Sequence, residues 1–550
     1  MVRQVLQILL VFSLILLFTH CAQIIPLSGG ERDATPPKIL ETSPARNTTN
    51  FNAEYISLKF DEFVQVKDLS NQLIVTPRLK TTPDISADGK NILVKFKREE
   101  LLPNTTYRFY FGTAIADMNE SNSIPDFEYV FSTGSYIDTV MVKGDITESF
   151  DNKPVSDVLI ALYYGEQTYD SLVYKKEPDF ITRTKDDGTF LVKNLPYKTF
   201  SVFAFTDKNK NSLYDGEAEK IGFLDSTLTL ISDTTIHLKM FQEEASKSFI
   251  KKSSSPYYGF AQIILNKKAK VQLMPIVKEN SLSISETLIG REKDTISFFY
   301  KNINDTLDLV LQNFNANKSD TLRIKLPKNN LTKRRLKTFT FNTRGNKLPL
   351  YANLKLSFLN WMDTSRSDLS KIKFTSKEDS MITPIPAKGR WTSVNSYEIY
   401  HPLKEGISYT IKIDTTAFFD LNQIPNDSNS VLFVNQSKTD FGKLTLKLSF
   451  KTDSTLNQNY IIQLLDQQNR IEKEHVIVFS DLINNATTIE FTDVTPGVYF
   501  TKIIFDSNKN NKWDSGNIIR KQQAEKVIIN SKQLKILSDW EIEEEILIKD

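Results

Sequence analysis

Short apolar bursts of period two, separated by turn clusters, recur along the chain and direct it to an all-β fold. "YISLKFDEFV" (55–64), "NILVKFK" (91–97), "TYRFYFG" (106–112) and "FEYVFSTG" (127–134) alternate or run apolar in short stretches. Such alternation lays every second side chain on one face of a sheet. The clusters "ADGK" and "LPNTT" break the runs, and the Asp-Gly pair at 88–89 suits a tight hairpin. About seven short strands in about 100 residues is the density of a β-sandwich. The 36 Phe and 20 Tyr against only 18 Gly favour packed sheets. A chain of 550 residues is too long for one core and should hold roughly three to five domains.

Charge excludes one class of partner. With 69 basic and 67 acidic residues the net charge is +2, and no basic block marks a nucleic-acid binder.

The first residues follow a different logic. "MVRQVLQILLVFSLILLFTHC" has a basic start at Arg3, an apolar run from Val5 to Phe18, and then Cys21, the only cysteine. That run is short for a membrane span, which needs about 20 residues. The stretch resembles a bacterial lipoprotein signal, with Cys21 the acylated new N-terminus, although His20 stands where a small residue is usual. The other reading is a plain signal peptide with an incidental cysteine. A single cysteine allows no intrachain disulfide framework.

The segments "ISLKFDEFV", "GKNILVKF", "LLPNTTYRFYFGTAIADMNESN" and "FEYVFSTG" resemble, in that order, the bacterial Ig-like domains of envelope proteins. The lead-in "CAQIIPLSGGERDATPPKILETSP" is similar to a family of Ig-like-domain lipoproteins of Bacteroidota. The resemblance implies architecture and an envelope location, with no chemical activity. The following segment resembles the transthyretin-like, carboxypeptidase-regulatory sandwich through Gly144, Pro154-Val155, Asp187-Gly188 before Phe190, and Leu195-Pro196.

The second half repeats the plan. Tyr409 stands where Tyr107 stood, and Asp420-Leu421-Asn422 where Asp117-Met118-Asn119 stood. "TTIEFTDVTPGVYFTKIIFDSNKNNKWD" parallels "GTFLVKNLPYKTFSVFAFTDKNKNSLYD". Convergent β-patterning is the alternative. The expected order is a lipoprotein signal peptide (1–20), a tether (21–37), an Ig-like domain (38–134) and a transthyretin-like sandwich (135–240). An additional β-domain (241–345), a divergent Ig-like domain (346–436) and a second transthyretin-like domain with a C-terminal tail (437–550) follow.

Candidate chemistry is sparse. His237, His401 and His475 lie far apart and outside any ligand-spaced motif. No G-x-S-x-G elbow or Walker-type loop is present. Asp61 and Glu62 are adjacent, so on one strand they face opposite ways. Trp361, Trp391, Trp513 and Trp540 are the residues a glycan-stacking platform would use. Asp-Ser/Thr followed by Ala, Ile, Leu, Met, Thr or Val occurs ten times, at Asp138, Asp170, Asp225, Asp233, Asp294, Asp305, Asp320, Asp379, Asp414 and Asp453. The pattern resembles an O-glycosylation sequon of Bacteroidota, and it is equally strand-entry chemistry.

The strongest local signal is the repeated loop. "DKNKNSLYD" (207–215) and "DSNKNNKWD" (506–514) place oxygen side chains at positions 1, 3, 5 and 9. These are Asp207, Asn209, Asn211 and Asp215, then Asp506, Asn508, Asn510 and Asp514. The first three match the start of an EF-hand loop, a cage for weakly held Ca²⁺, with a backbone carbonyl at position 7. Ser212 or Asn511 replaces the glycine of position 6, and no glutamate stands at position 12. Glu217 or Glu219 compensates in the first loop, with nothing comparable in the second. The alternative is an Asn-rich turn that caps its own backbone.

The function expected is a non-enzymatic lipoprotein anchored to the outer membrane, a rod of β-domains serving as scaffold or binding protein. It faces the periplasm or the cell surface, and its partner is the membrane plus an unidentified envelope protein or glycan. A glycan-capturing accessory lipoprotein and an enzyme with a site assembled across domains are the alternatives.

Overall fold

The computed structural model describes residues 33–165, 172–267, 269–275, 288–289, 294–300, 305–313, 318–328, 339–358, 360–451 and 457–549. The fold is nearly all β, a tandem of β-sandwiches each with its own apolar core.

The first sandwich packs one sheet, in the order Ile39–Ser43, Tyr55–Phe60, Asn91–Lys95, Asp84–Asp88, on another of Ile74–Thr76, Thr106–Gly112 and Phe127–Ser132. Alternation sets the faces: Ile56, Leu58 and Phe60 turn inward to meet Phe109, Phe111 and Phe131. The run 55–64 is not one strand. It breaks after Phe60, and Val64–Val66 pairs with Ile115–Asp117 instead. At the break the Asp61 carboxylate accepts the backbone N–H of Lys38 at 2.8 Å.

The second Ig-like segment repeats this sheet order with Phe339–Phe341, Leu354–Phe358, Ser396–Ile399 and Gly389–Ser393. Phe339 belongs to that core, so this sandwich begins before the expected boundary at 346. In both copies a buried tyrosine hydroxyl accepts a backbone N–H five residues upstream. Leu102 donates to Tyr107 at 2.7 Å, and Lys404 to Tyr409 at 2.9 Å.

Two further sandwiches, one built on Val140–Glu148 and one on Gly442–Lys451, share one pairing plan. Val140–Glu148 runs antiparallel to Thr189–Leu195 and parallel to Thr234–Gln242. Gly442–Lys451 does the same with Ala486–Val494 and Glu541–Lys549, so the acidic C-terminal stretch is an integral strand. Between the halves, 250–326 forms a further small sandwich around Ile263, Phe298 and Leu309.

The described domains do not form a simple rod. The last sandwich packs on the one built on Val140–Glu148. Ile518 is fully buried among Tyr214, Phe223 and Phe241, and its N–H donates to Glu243 at 2.9 Å. A Cβ on Gly516 would lie 2.4 Å from the Phe241 ring, so only glycine allows this approach. Gln523 donates to the Phe223 carbonyl, and Asn152 to the Val527 carbonyl. The Trp513 and Phe150 rings meet edge-on at 5.1 Å.

Lys502 is buried at this contact, its ammonium over the Phe150 ring. Burial pushes its pKa down to about 8, and the Asp151 charge only partly opposes this. An unfolded lysine keeps its proton to about pH 10.4. The unfolded state therefore binds more protons between pH 8 and about 10.4, and stability rises with pH through that window. We expect Lys502→Met to be more stable than wild type at pH 7. The gap should narrow as pH rises above 8, measured by urea unfolding from pH 7 to 10.

Candidate cation-binding loops

Each Asn/Asp loop starts where a central strand of one of these two sandwiches ends. Asp207 follows Thr199–Phe205 and Asp506 closes Gly497–Asp506. Short side chains then bend the backbone by accepting its amides. Asp207 Oδ2 accepts from Ser212 at 3.3 Å, Asn209 Oδ1 from Asn211 at 3.2 Å, and Asn211 Oδ1 from Leu213 at 2.8 Å. In the second loop Asp506 accepts from Asn510 and Asn511 at 3.0 and 2.9 Å. Asn508 Oδ1 accepts from Asn510 at 3.1 Å, and Asn510 Oδ1 from Lys512 at 3.0 Å.

Positions 4 and 6 are left-handed in both loops, with φ of 61° and 60° at Lys210 and Ser212 and 61° at both Lys509 and Asn511. The glycine missing from position 6 has not changed the turn. Ser212 and Asn511 adopt its conformation despite their Cβ atoms.

The side-chain amides converge on the carboxylate of position 9. Asn209 Nδ2 lies 2.5 Å and Asn211 Nδ2 3.4 Å from Asp215 Oδ2. Asn508 Nδ2 lies 2.6 Å from Asp514 Oδ2, and Asn510 Nδ2 donates to the same oxygen.

A buried glutamate closes each loop, and only one of the two was visible in the sequence. Glu219 accepts the N–H of Lys208 on one oxygen and of Asp215 on the other, at 2.8 and 3.0 Å. Glu525 does the same for Ser507 and Asp514, at 2.8 and 3.0 Å. The second loop thus has its counterpart, placed 11 residues beyond Asp514 instead of 4 beyond Asp215. Glu217 turns away and accepts from Ser246.

Basic side chains already neutralise part of each set. Arg183 Nη2 lies 3.2 Å from Asp207 Oδ2, and Lys512 Nζ 2.6 Å from Asp514 Oδ1. Burial raises the Asp514 pKa, but the bonds from Lys512, Asn508 and Asn510 outweigh it and hold the carboxyl below its ordinary range. Among the described residues no three His, Cys, Asp or Glu side chains cluster to hold a metal. The oxygens gathered here are mixed, carboxylate and amide.

The other candidates stand elsewhere. Cys21 lies outside the described residues. His237 pairs with Asp145, while His401 and His475 pack edge-on to Phe374 and Phe491. Asp117 serves its own loop, accepting the amides of Glu120, Ser121 and Asn122. Glu62 is pushed up by burial and by the charges of Asp117, Asp61, Asp33 and Glu120. Trp361 is buried, Trp391 packs against Phe358, Tyr397 and Phe418, and Trp540 is 60% exposed. Of the Asp-Ser/Thr sites, Asp233, Asp294 and Asp305 directly precede strands Thr234–Gln242, Thr295–Phe299 and Thr306–Asn313, whereas Asp170 and Asp453 lie outside the described residues. A cleft of about 710 Å³ opens beside the first loop, lined by Arg78, Asp157, Arg183 and Asp207. Those charges are paired, Arg78 with Glu177 at 3.0 Å and Arg183 with Asp157 at 3.0 Å.

Comparison with known proteins bears on the fold. Residues 33–133 match the bacterial Ig-like domain. No curated protein matches the chain. Among solved structures, the major pilin subunit BcpA of Bacillus cereus is 10% identical, covering 74% of this chain and 99% of its own, with a TM-score of 0.14. Domains 1–6 of surface layer protein SbsC are 10% identical over 92% of this chain and 68% of theirs, TM-score 0.14. SGBP-B of the Bacteroides ovatus mixed-linkage glucan utilization locus, solved with a mixed-linkage heptasaccharide, is 9% identical over 73% and 95%, TM-score 0.19. At these scores none of the three bears on what this chain binds.

The two closing glutamates should be worth more than their neighbours. Glu219→Ala and Glu525→Ala each leave two backbone amides without their charged acceptor and should lower stability by about 3 kcal/mol. Glu217→Ala should change it by less than about 1 kcal/mol. Urea unfolding of the three variants checks this.

Proposed function

We propose that the chain is a non-enzymatic lipoprotein of a bacterial envelope, a β-scaffold held to the outer membrane through Cys21. The observation that carries this reading is where the polar, chemistry-bearing residues of both loops are used. Arg78 of the first sandwich donates to Ser212 of the first loop at 2.9 Å, and Trp513 of the second loop meets Phe150 of another sandwich. These residues join sandwiches. The anchor rests on the signal-like stretch ending at Cys21 and on the resemblance of its lead-in. A glycan-capturing role has less support: Trp361 is buried, Trp391 and Trp513 are half-buried against aromatic neighbours, and Trp540 is left exposed. The partner is an unidentified envelope protein or glycan.

Fractionation tests the anchor. Cys21→Ser should move the protein from the membrane to the soluble envelope fraction, because a residual apolar segment without acyl chains holds weakly. A variant that stays with membranes through high-salt washing would contradict the assignment. Crosslinking in intact cells, followed by identification of the joined proteins, tests the scaffold role.

A further inference from the structure

We infer that each loop holds one Ca²⁺ ion, and that occupancy latches the sandwich contacts on which the loops sit. The latching part rests on the scaffold reading; ion binding does not.

The first observation is an orphan. Asp207 is only 6% exposed, its Oδ2 accepts from Ser212 and faces Arg183, and its Oδ1 has no hydrogen-bond partner. A buried carboxylate oxygen left bare is unfavourable unless something cationic or donating completes it. The other oxygen of Asp207 bonds the backbone of the same loop at Ser212, and the side chains of positions 3, 5 and 9 of that loop bond one another. The second loop repeats the oxygen-bearing residues of positions 1, 3, 5 and 9, and there both Asp506 oxygens accept backbone amides, Oδ1 from Asn510 and Oδ2 from Asn511.

The donor set selects the ion. Asp207, Asn209, Asn211 and Asp215 offer only oxygen once each amide turns about its last bond to present Oδ1 in place of Nδ2. That rotation gives up an Asx-turn bond, which the ion replaces. A set of carboxylate and amide oxygens without nitrogen or sulfur favours a hard cation over zinc. Ca²⁺ tolerates irregular cages of 6–8 oxygens, whereas Mg²⁺ demands a near-ideal octahedron. Water and the position-7 carbonyl complete the shell. With two carboxylates per site and Arg183 or Lys512 nearby, affinity falls on the order of 10⁻⁴–10⁻³ M, as in extracellular calcium modules.

The latch follows from what the loops touch. Ser212 and Lys210 of the first loop bond Arg78 and Asn71 of the first Ig-like sandwich. The residue that replaces the position-6 glycine is the one that makes the contact. Behind the second loop, Ser515 and Ile518 bond Gln242 and Glu243. An ion that fixes the loop backbone fixes these partners too.

The test uses the full chain after chelator treatment, titrated calorimetrically with Ca²⁺ and separately with Mg²⁺. Two Ca²⁺ sites are expected, with a rise in melting temperature that Mg²⁺ at equal concentration does not reproduce. Asp207→Asn and Asp506→Asn, which keep shape and the turn bonds, should each remove one site. Lys512→Met should tighten the second site several-fold, which an ordinary turn would not do. No heat and no melting shift at 10 mM, about tenfold above the weak end of that range, would overturn the ion sites whatever the variants do. Hydrogen exchange reads the latch: Ca²⁺ should slow exchange at 71–79 and 242–244 as well as in the loops. Binding with protection confined to the loops would overturn the latch and leave the ion sites standing, and Cys21 fractionation is unaffected by either result.

Discussion

Glu243 joins the two halves of the chain. Its buried carboxylate accepts the Tyr214 hydroxyl at 2.9 Å on one oxygen and the Ile518 N–H at 2.9 Å on the other. Burial, reinforced by the Glu243 charge, pushes the Tyr214 phenol far above its ordinary range, so the hydroxyl stays a donor. Around this pair the sandwiches that carry the two Asn/Asp loops share apolar surface, with Ile518 inserted among Tyr214, Phe223 and Phe241. Removing the carboxylate would strand a buried hydroxyl and a buried amide together, the costly way to lose a hydrogen bond. Tyr214 is position 8 of the first Asn/Asp loop and Ile518 lies four residues past the second. Loop geometry and domain closure therefore depend on each other.

Much of the fold was legible because it is local. Period-two runs gave the strands, and the matched tyrosines, aspartates and loops gave the repeat, down to the paired hydroxyl bonds of Tyr107 and Tyr409. Two features escaped for physical reasons. The break in 55–64 comes from a strand leaving one sheet for another, and nothing in the apolar alternation marks where hydrogen bonding changes partner. Closure of the chain joins residues 273 to 375 apart, such as Ser515 with Gln242 and Asn152 with Val527, a distance over which periodicity carries no information.

The loops show both limits at once. Their first nine positions are fixed by sequence, because Asx side chains bond only their near neighbours. The closing glutamate is fixed by space. Glu219 and Glu525 do the same work at different spacings, so sequence comparison of the loops finds one and misses the other. The left-handed φ at Ser212 and Asn511 likewise shows that a missing glycine removes a preference and not the conformation.

The closed arrangement requires the two sandwiches that carry the Asn/Asp loops to touch in solution as they do here. A double-mutant cycle across the edge-on pair tests it most directly: Phe150→Ala, Trp513→Ala and the double variant, compared by equilibrium unfolding of the full chain. The two residues belong to different sandwiches, so coupling between them requires the sandwiches to meet at this place. A coupling of about 0.5–1.5 kcal/mol is the value predicted for such an aromatic pair. Additive effects within error would contradict the contact, and with it the closed arrangement of the chain.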